Sequence, residues 1–77
     1  MKANHLYVVK IDGMRCGSCE AHVNDVIRRN FDIKKVKSSH FFNKTKIYSD
    51  NLLDENKIKS VIGEEGYIVK DISHTSK

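Results

Sequence analysis

Residues 6–27 read LYVVKIDGMRCGSCEAHVNDVI, and the change of period inside this stretch decides the fold. From Leu6 to Asp12 the chain alternates, with Tyr7, Val9 and Ile11 on one face, and its β-branched content predicts a strand. From Ser18 or Cys19 onward Val23, Val26 and Ile27 recur at helical spacing, with Glu20, Asn24, Asp25, Arg28 and Arg29 on the other faces. Between the two lies Gly13-Met14-Arg15-Cys16-Gly17-Ser18-Cys19, which holds both cysteines of the chain. Two intervening residues let both sulfurs point at one spot. A helix start at Cys19 favours thiolate over thiol, because unpaired N–H groups and the helix dipole stabilise negative charge there. Thiolates are soft ligands that select Cu(I), zinc or iron–sulfur clusters over hard cations. With only two of them the natural fit is a low-coordinate ion such as Cu(I), since a closed zinc site takes four ligands.

Downstream, Ile33–His40 reads as a second strand, Phe41–Thr45 as a hairpin turn and Lys46–Ser49 as a third strand. Asp54 is placed to cap a second helix with Ile58, Val61 and Ile62 as its buried stripe, ended with the help of Gly63 and Gly66. Tyr67–Ile72 reads as strand four, and residues 73–77 as a frayed tail. The order strand, helix, strand, strand, helix, strand predicts an α+β, ferredoxin-like βαββαβ two-layer sandwich, a four-stranded antiparallel sheet with two helices on one face. That topology gathers Cys16, Cys19, His40, Phe41, Phe42, Gly66 and Tyr67 at one pole and sends Arg28 through Lys37 to the other.

Composition sets outer bounds. With 77 residues, no proline, no tryptophan and 39% hydrophobic residues, the chain reads as one domain, 1–77, with a core over about 5–72. The N-terminus carries no long apolar run, which argues against a signal peptide or membrane insertion and for a cytoplasmic protein whose thiols stay reduced. Asn43-Lys44-Thr45 then matches a glycosylation acceptor by chance. The net charge of +4 is concentrated in Arg28, Arg29, Lys34, Lys35 and Lys37. No interleaved aromatics accompany these residues, so they read as a solvated face, and no nucleic acid is expected as a partner. A thioredoxin-like redox role also uses Cys-x-x-Cys, but the proline, tryptophan and length of such domains are missing.

The stretch Gly13–Cys19, followed by Val23 and Ile27 and by Ile58, Ile62 and Gly66-Tyr67 at matching distances, resembles the Gly-Met-x-Cys-x-x-Cys signature of heavy-metal-associated domains, and within them bacterial copper chaperones of the CopZ type. The resemblance implies a non-enzymatic metallochaperone in which Cys16 and Cys19 bind Cu(I), Met14 tethers the loop and Tyr67 stands beside the metal. It implies as partner the metal-binding domain of a copper-transporting P-type ATPase or a copper-responsive regulator. The protein would be a monomer, with a copper-bridged dimer as a further state. Related zinc, cadmium and lead domains often place an aspartate before the first cysteine. Arg15 offers no lone pair there, lowers thiol pKa values and offsets a bis-thiolate centre.

Hg(II), Zn(II) and Cd(II) remain as other cargoes, and a regulatory domain of a heavy-metal ATPase as another context. Ser38 and His40 share a face with Val36, and Ser49 stands where the family often has a large apolar residue, so a marginal core is expected. His40 and His22 are candidate third ligands beside the more ordinary reading of solvent-facing histidines, while His5 and His74 look incidental. Phe41 and Phe42 suggest a docking knob, with one of the two in the core.

Overall fold

A computed structural model describes residues 4–15 and 17–76, and all structural statements concern these. The elements are β1 (His5–Asp12), α1 (Gly17–Asn30), β2 (Lys35–Ser39), β3 (Lys44–Ser49), α2 (Glu55–Glu64) and β4 (Ile68–Ser76). The strands form one sheet in the order β2-β3-β1-β4, antiparallel at every pairing. This is the expected ferredoxin-like α+β sandwich.

The period change read from the sequence places the core. Tyr7, Val9 and Ile11 of β1, Val36 of β2 and Ile47 of β3 lie buried with Val23 and Ile27 of α1 and Ile58 and Ile62 of α2 in one cluster. Both helices therefore cover the same face of the sheet. Asp54 caps α2, its carboxylate accepting the Asn56 and Lys57 N–H groups, which neutralises orphan donors of the first turn. Gly66, at φ +92°, follows the helix end in the left-handed conformation expected of it, while Gly63 lies within the helix.

Three expectations are corrected. The β2–β3 turn occupies residues 40–43 rather than 41–45, so β3 starts two residues earlier than expected and β2 is shorter at both ends. Asn43 closes the turn at φ +54°, a conformation that asparagine tolerates, and its carbonyl accepts the Ile11 N–H at 2.8 Å. The tail expected to fray pairs instead: β4 continues through Ser76, which lies opposite His5. Its polar residues gave no alternation to read, but His74 stacks on Tyr7 with ring centroids 4.4 Å apart and its Nε2 lies 3.0 Å from His5 Nδ1. Those two histidines are thus not incidental. Neither phenylalanine of the turn joins the core, with Phe41 82% and Phe42 74% exposed.

The unusual polar positions on the core face are satisfied rather than vacant. Ser38 Oγ donates to Asn24 Oδ1 at 2.7 Å and lies 2.9 Å from Thr45 Oγ1, joining β2, β3 and α1. Ser49 Oγ donates to the Asn51 carbonyl and accepts the Asn51 N–H, both at 3.0 Å. Tyr7 OH accepts the Leu53 N–H at 2.9 Å and donates to the Leu53 carbonyl at 3.3 Å. Among the described residues no buried side-chain nitrogen or oxygen lacks a partner. Nor is any described helix long and apolar enough to cross a membrane.

Candidate metal centre

The β1–α1 loop is held from three sides. Gly13 turns the chain at φ +109°, a conformation that costs any residue with a Cβ. Tyr67 packs beside it, since a Cβ on Gly13 would meet Tyr67 Cδ1 at 3.4 Å, an ordinary van der Waals contact, so the positive φ and not lack of space calls for glycine. Met14, only 5% exposed, belongs to the core cluster and anchors the loop from beneath, so its thioether is spent on packing. Arg15 is exposed. Cys16 lies outside the described residues.

Helix α1 then begins at Gly17, which is exposed and has open space where a Cβ would sit. Cys19 is in the first turn, half-buried and packed against the core cluster. A sulfur there faces the positive end of the helix dipole, which favours its thiolate form. Among the described residues no three His, Cys, Asp or Glu side chains gather to hold a metal.

The structure places the other candidates around this turn and gives them different work. His40 is not brought into a donor set. Its backbone N–H donates to Glu20 Oε2 at 2.7 Å, its ring Nδ1 meets the same oxygen, and its ring lies on Phe41 with centroids 4.2 Å apart. The His40 backbone N–H, and then its ring, hold the Glu20 carboxyl below its ordinary 4.5. The β2–β3 turn is thereby tied to the helix turn that carries Cys19.

His22 is engaged too. Its Nε2 lies 2.7 Å from Glu65 Oε1 and its Nδ1 lies 3.3 Å from Tyr67 OH. A carboxylate only accepts, so in neutral His22 the Nε2–H donates to Glu65, and Tyr67 OH donates to Nδ1, a tautomer assigned from the network. Tyr67 is half-buried, lies beside Gly13, and is hydrogen-bonded to an α1 histidine that the sequence offered as a third ligand or as a solvent-facing residue.

No protein-family model matches the chain, and no curated protein matches it. Solved structures do. The N-terminal domain of ZntA in its Zn(II) form superposes with a TM-score of 0.79 at 23% identity, over 90% of this chain and 93% of that one. The CopZ metallochaperone gives 0.74 at 20% identity, over 83% and 97%. A copper-binding domain from HMA7, a P-type ATPase, gives 0.73 at 20% identity, over 94% and 95%. The fold is that of the heavy-metal-associated domains. At these identities the likeness establishes the fold alone.

Two expected results follow from the geometry of this domain. Gly13→Ala should cost about 1–2 kcal/mol, because a Cβ at positive φ is strained. The loss is read as a lower thermal midpoint. Glu20→Ala should free the His40 amide, which then exchanges its hydrogen at least about 10-fold faster, while the β1–β3 amides keep their protection. The His22–Glu65–Tyr67 chain was legible only in hindsight. Its signal was a histidine three residues after Cys19 combined with Glu65 and Tyr67 flanking the α2-ending glycine.

Proposed function

We propose that the protein is a member of the heavy-metal-associated family that binds Cu(I) through Cys16 and Cys19 and hands it on by thiolate exchange, acting as a cytoplasmic metallochaperone and not as an enzyme. The observation that carries the reading is the position of Cys19, in the first turn of α1 behind an exposed Arg15, with no third donor gathered among the described residues. Two soft sulfurs with no hard ligand beside them suit a low-coordinate soft ion. Arg15 adds positive charge and supplies no lone pair, so it opposes a dication and offsets the net negative charge of two thiolates around Cu(I).

Transfer follows from the open coordination. A thiolate of the partner adds to the bound Cu(I), giving a three-coordinate bridged species, and one of the two original sulfurs then leaves. No oxidation occurs, and each protein exchanges one sulfur–metal bond at a time. Gly17, exposed and without a side chain, leaves the approach clear. The partner of this reading is a similar domain on a copper-transporting P-type ATPase, or a copper-responsive regulator. Its cargo alternatives are Hg(II), Zn(II) and Cd(II). The ZntA likeness favours a test of zinc in particular, against the argument that zinc takes more donors than two.

The deciding experiment is an anaerobic titration of the reduced chain with Cu(I) against a competing chelator, run beside Zn(II) and Hg(II). One tightly held Cu(I) per chain with weak zinc supports the carrier. Cu(I) bound no tighter than zinc would remove it.

A further inference from the structure

The helices leave one face of the sheet bare, and the strand register shows what lines it. Read across β2, β3 and β1, its rows are Lys35–Tyr48–Leu6, Lys37–Lys46–Val8 and Ser39–Lys44–Lys10. The alternate rows, Val36–Ile47–Tyr7 and Ser38–Thr45–Val9, are the buried ones, so the pleat directs the first set to solvent. Five lysines thus root in a patch about 10 by 14 Å across, each roughly 5–7 Å from its nearest neighbours, within the roughly 8 Å over which physiological salt screens a charge. They act as one field.

This arrangement is not one that folding stability favours. Lys37 stands directly opposite Lys46, and Lys44 directly opposite Lys10. Like charges in register destabilise a sheet. The ion pairs among the described residues are His22–Glu65, Arg29–Asp25, Lys34–Asp50 and His40–Glu20, and none involves these five lysines. Where the rows extend onto β4, Asp71 opposes Lys10, but the β2–β3 half carries no carboxylate in its rows. On that half lies a shallow hollow of about 420 Å³ lined by Lys37, Ser39, Phe42, Lys44 and Lys46. The exposed Phe41–Phe42 pair stands at its end, in the turn.

We propose that this face docks the protein on an anionic lipid bilayer surface, the lysines lying against the headgroups and the Phe41–Phe42 tip entering the headgroup boundary. The choice of occupant rests on which cations are used. All five are lysines, while Arg15, Arg28 and Arg29 lie in the β1–α1 loop and the last turn of α1. Protein interfaces enrich arginine and deplete lysine, and nucleic-acid recognition draws on the arginine fork and on aromatics across the platform. The strand rows here offer Tyr48 alone. A bilayer potential, being diffuse, attracts a compact ammonium as well as a guanidinium, at about fivefold in binding per lysine near the surface. Adjacent exposed phenylalanines suit the interface. Docking rests on this face alone, whereas its use, holding the metal loop near a membrane-embedded receiver, rests on the copper-carrier reading.

The test is co-sedimentation of the full chain, without metal, with phosphatidylcholine vesicles containing phosphatidylserine and with pure phosphatidylcholine vesicles at low ionic strength. Binding is expected to the anionic vesicles only, and to weaken about 25-fold in the Lys37→Gln/Lys46→Gln double variant. Phe42→Ser should weaken it independently. The double variant should also melt no lower than the parent, since a repelling pair has been removed, so loss of binding cannot be loss of fold. Absence of binding to anionic vesicles, equal binding to neutral ones, or a double variant that binds unchanged overturns the proposal. So does tighter binding, at the same ionic strength and matched charge, to a mixed-sequence single-stranded oligonucleotide or a polyglutamate peptide than to the anionic vesicles, which would assign the face to nucleic acid or to an acidic protein.

Discussion

Cys16→Ser and Cys19→Ser are each expected to lose stable Cu(I) capture, with affinity falling well beyond the roughly 10–100-fold that changes around a metal's ligands cost. Each substitution exchanges a soft, polarisable thiolate for a neutral hydroxyl and leaves one soft donor where two were needed. Among the described residues the nearby histidines are engaged elsewhere, His40 with Glu20 and His22 with Glu65 and Tyr67. Competition against a Cu(I) chelator reads the loss directly. A tight one-to-one complex surviving in both variants would sink the assignment. A parallel thermal melt of the metal-free variants separates loss of a metal ligand from loss of fold, since Cys19 is half-buried against the core cluster.

Ile47→Ala is expected to remove a large part of the stability of the fold. Ile47 is fully buried on β3, between Val36 on β2 and Tyr7 on β1 in register. Truncating it to alanine leaves a cavity at the centre of the sheet, at a cost of about 2–5 kcal/mol. A chain of 77 residues has roughly 4–12 kcal/mol in total. At about 4–8 °C per kcal/mol for a domain of this size the midpoint should fall by at least about 8 °C. Val8→Ala, on the bare side of the neighbouring strand, should cost much less, since little packs over it. Equal losses at the two positions would mean that the helices do not cover the face described.

The architecture was legible because two periods meet at Gly13. Alternation through Tyr7, Val9 and Ile11, and helical spacing through Val23, Val26 and Ile27, name the core-facing residues of β1 and α1 without any knowledge of contacts. Asp54 and Gly66 likewise act through local chemistry that the sequence displays. What stayed hidden depends on residues distant in the chain. The end of β4 is polar, and its order comes from pairing with β1 and from His74 lying on Tyr7. The engagement of His22 and His40 with Glu65, Tyr67 and Glu20 needed the packing of α1 on α2 and on the hairpin. The five-lysine face was the least visible. Nearness in sequence groups Lys35 and Lys37 with Arg28 and Arg29, whereas strand register joins them to Lys10, Lys44 and Lys46.

The pairing of Ser76 with His5 has a practical use. His5 and Ser76 lie side by side, at the end of β1 remote from Gly13. A fluorophore or a tether fixed at either of these two residues therefore sits a full strand length, roughly 25 Å, from the loop that follows β1. Immobilised there, the domain turns the Gly13 end of β1 away from the support, so a soluble partner can approach that end without the attachment standing in the way.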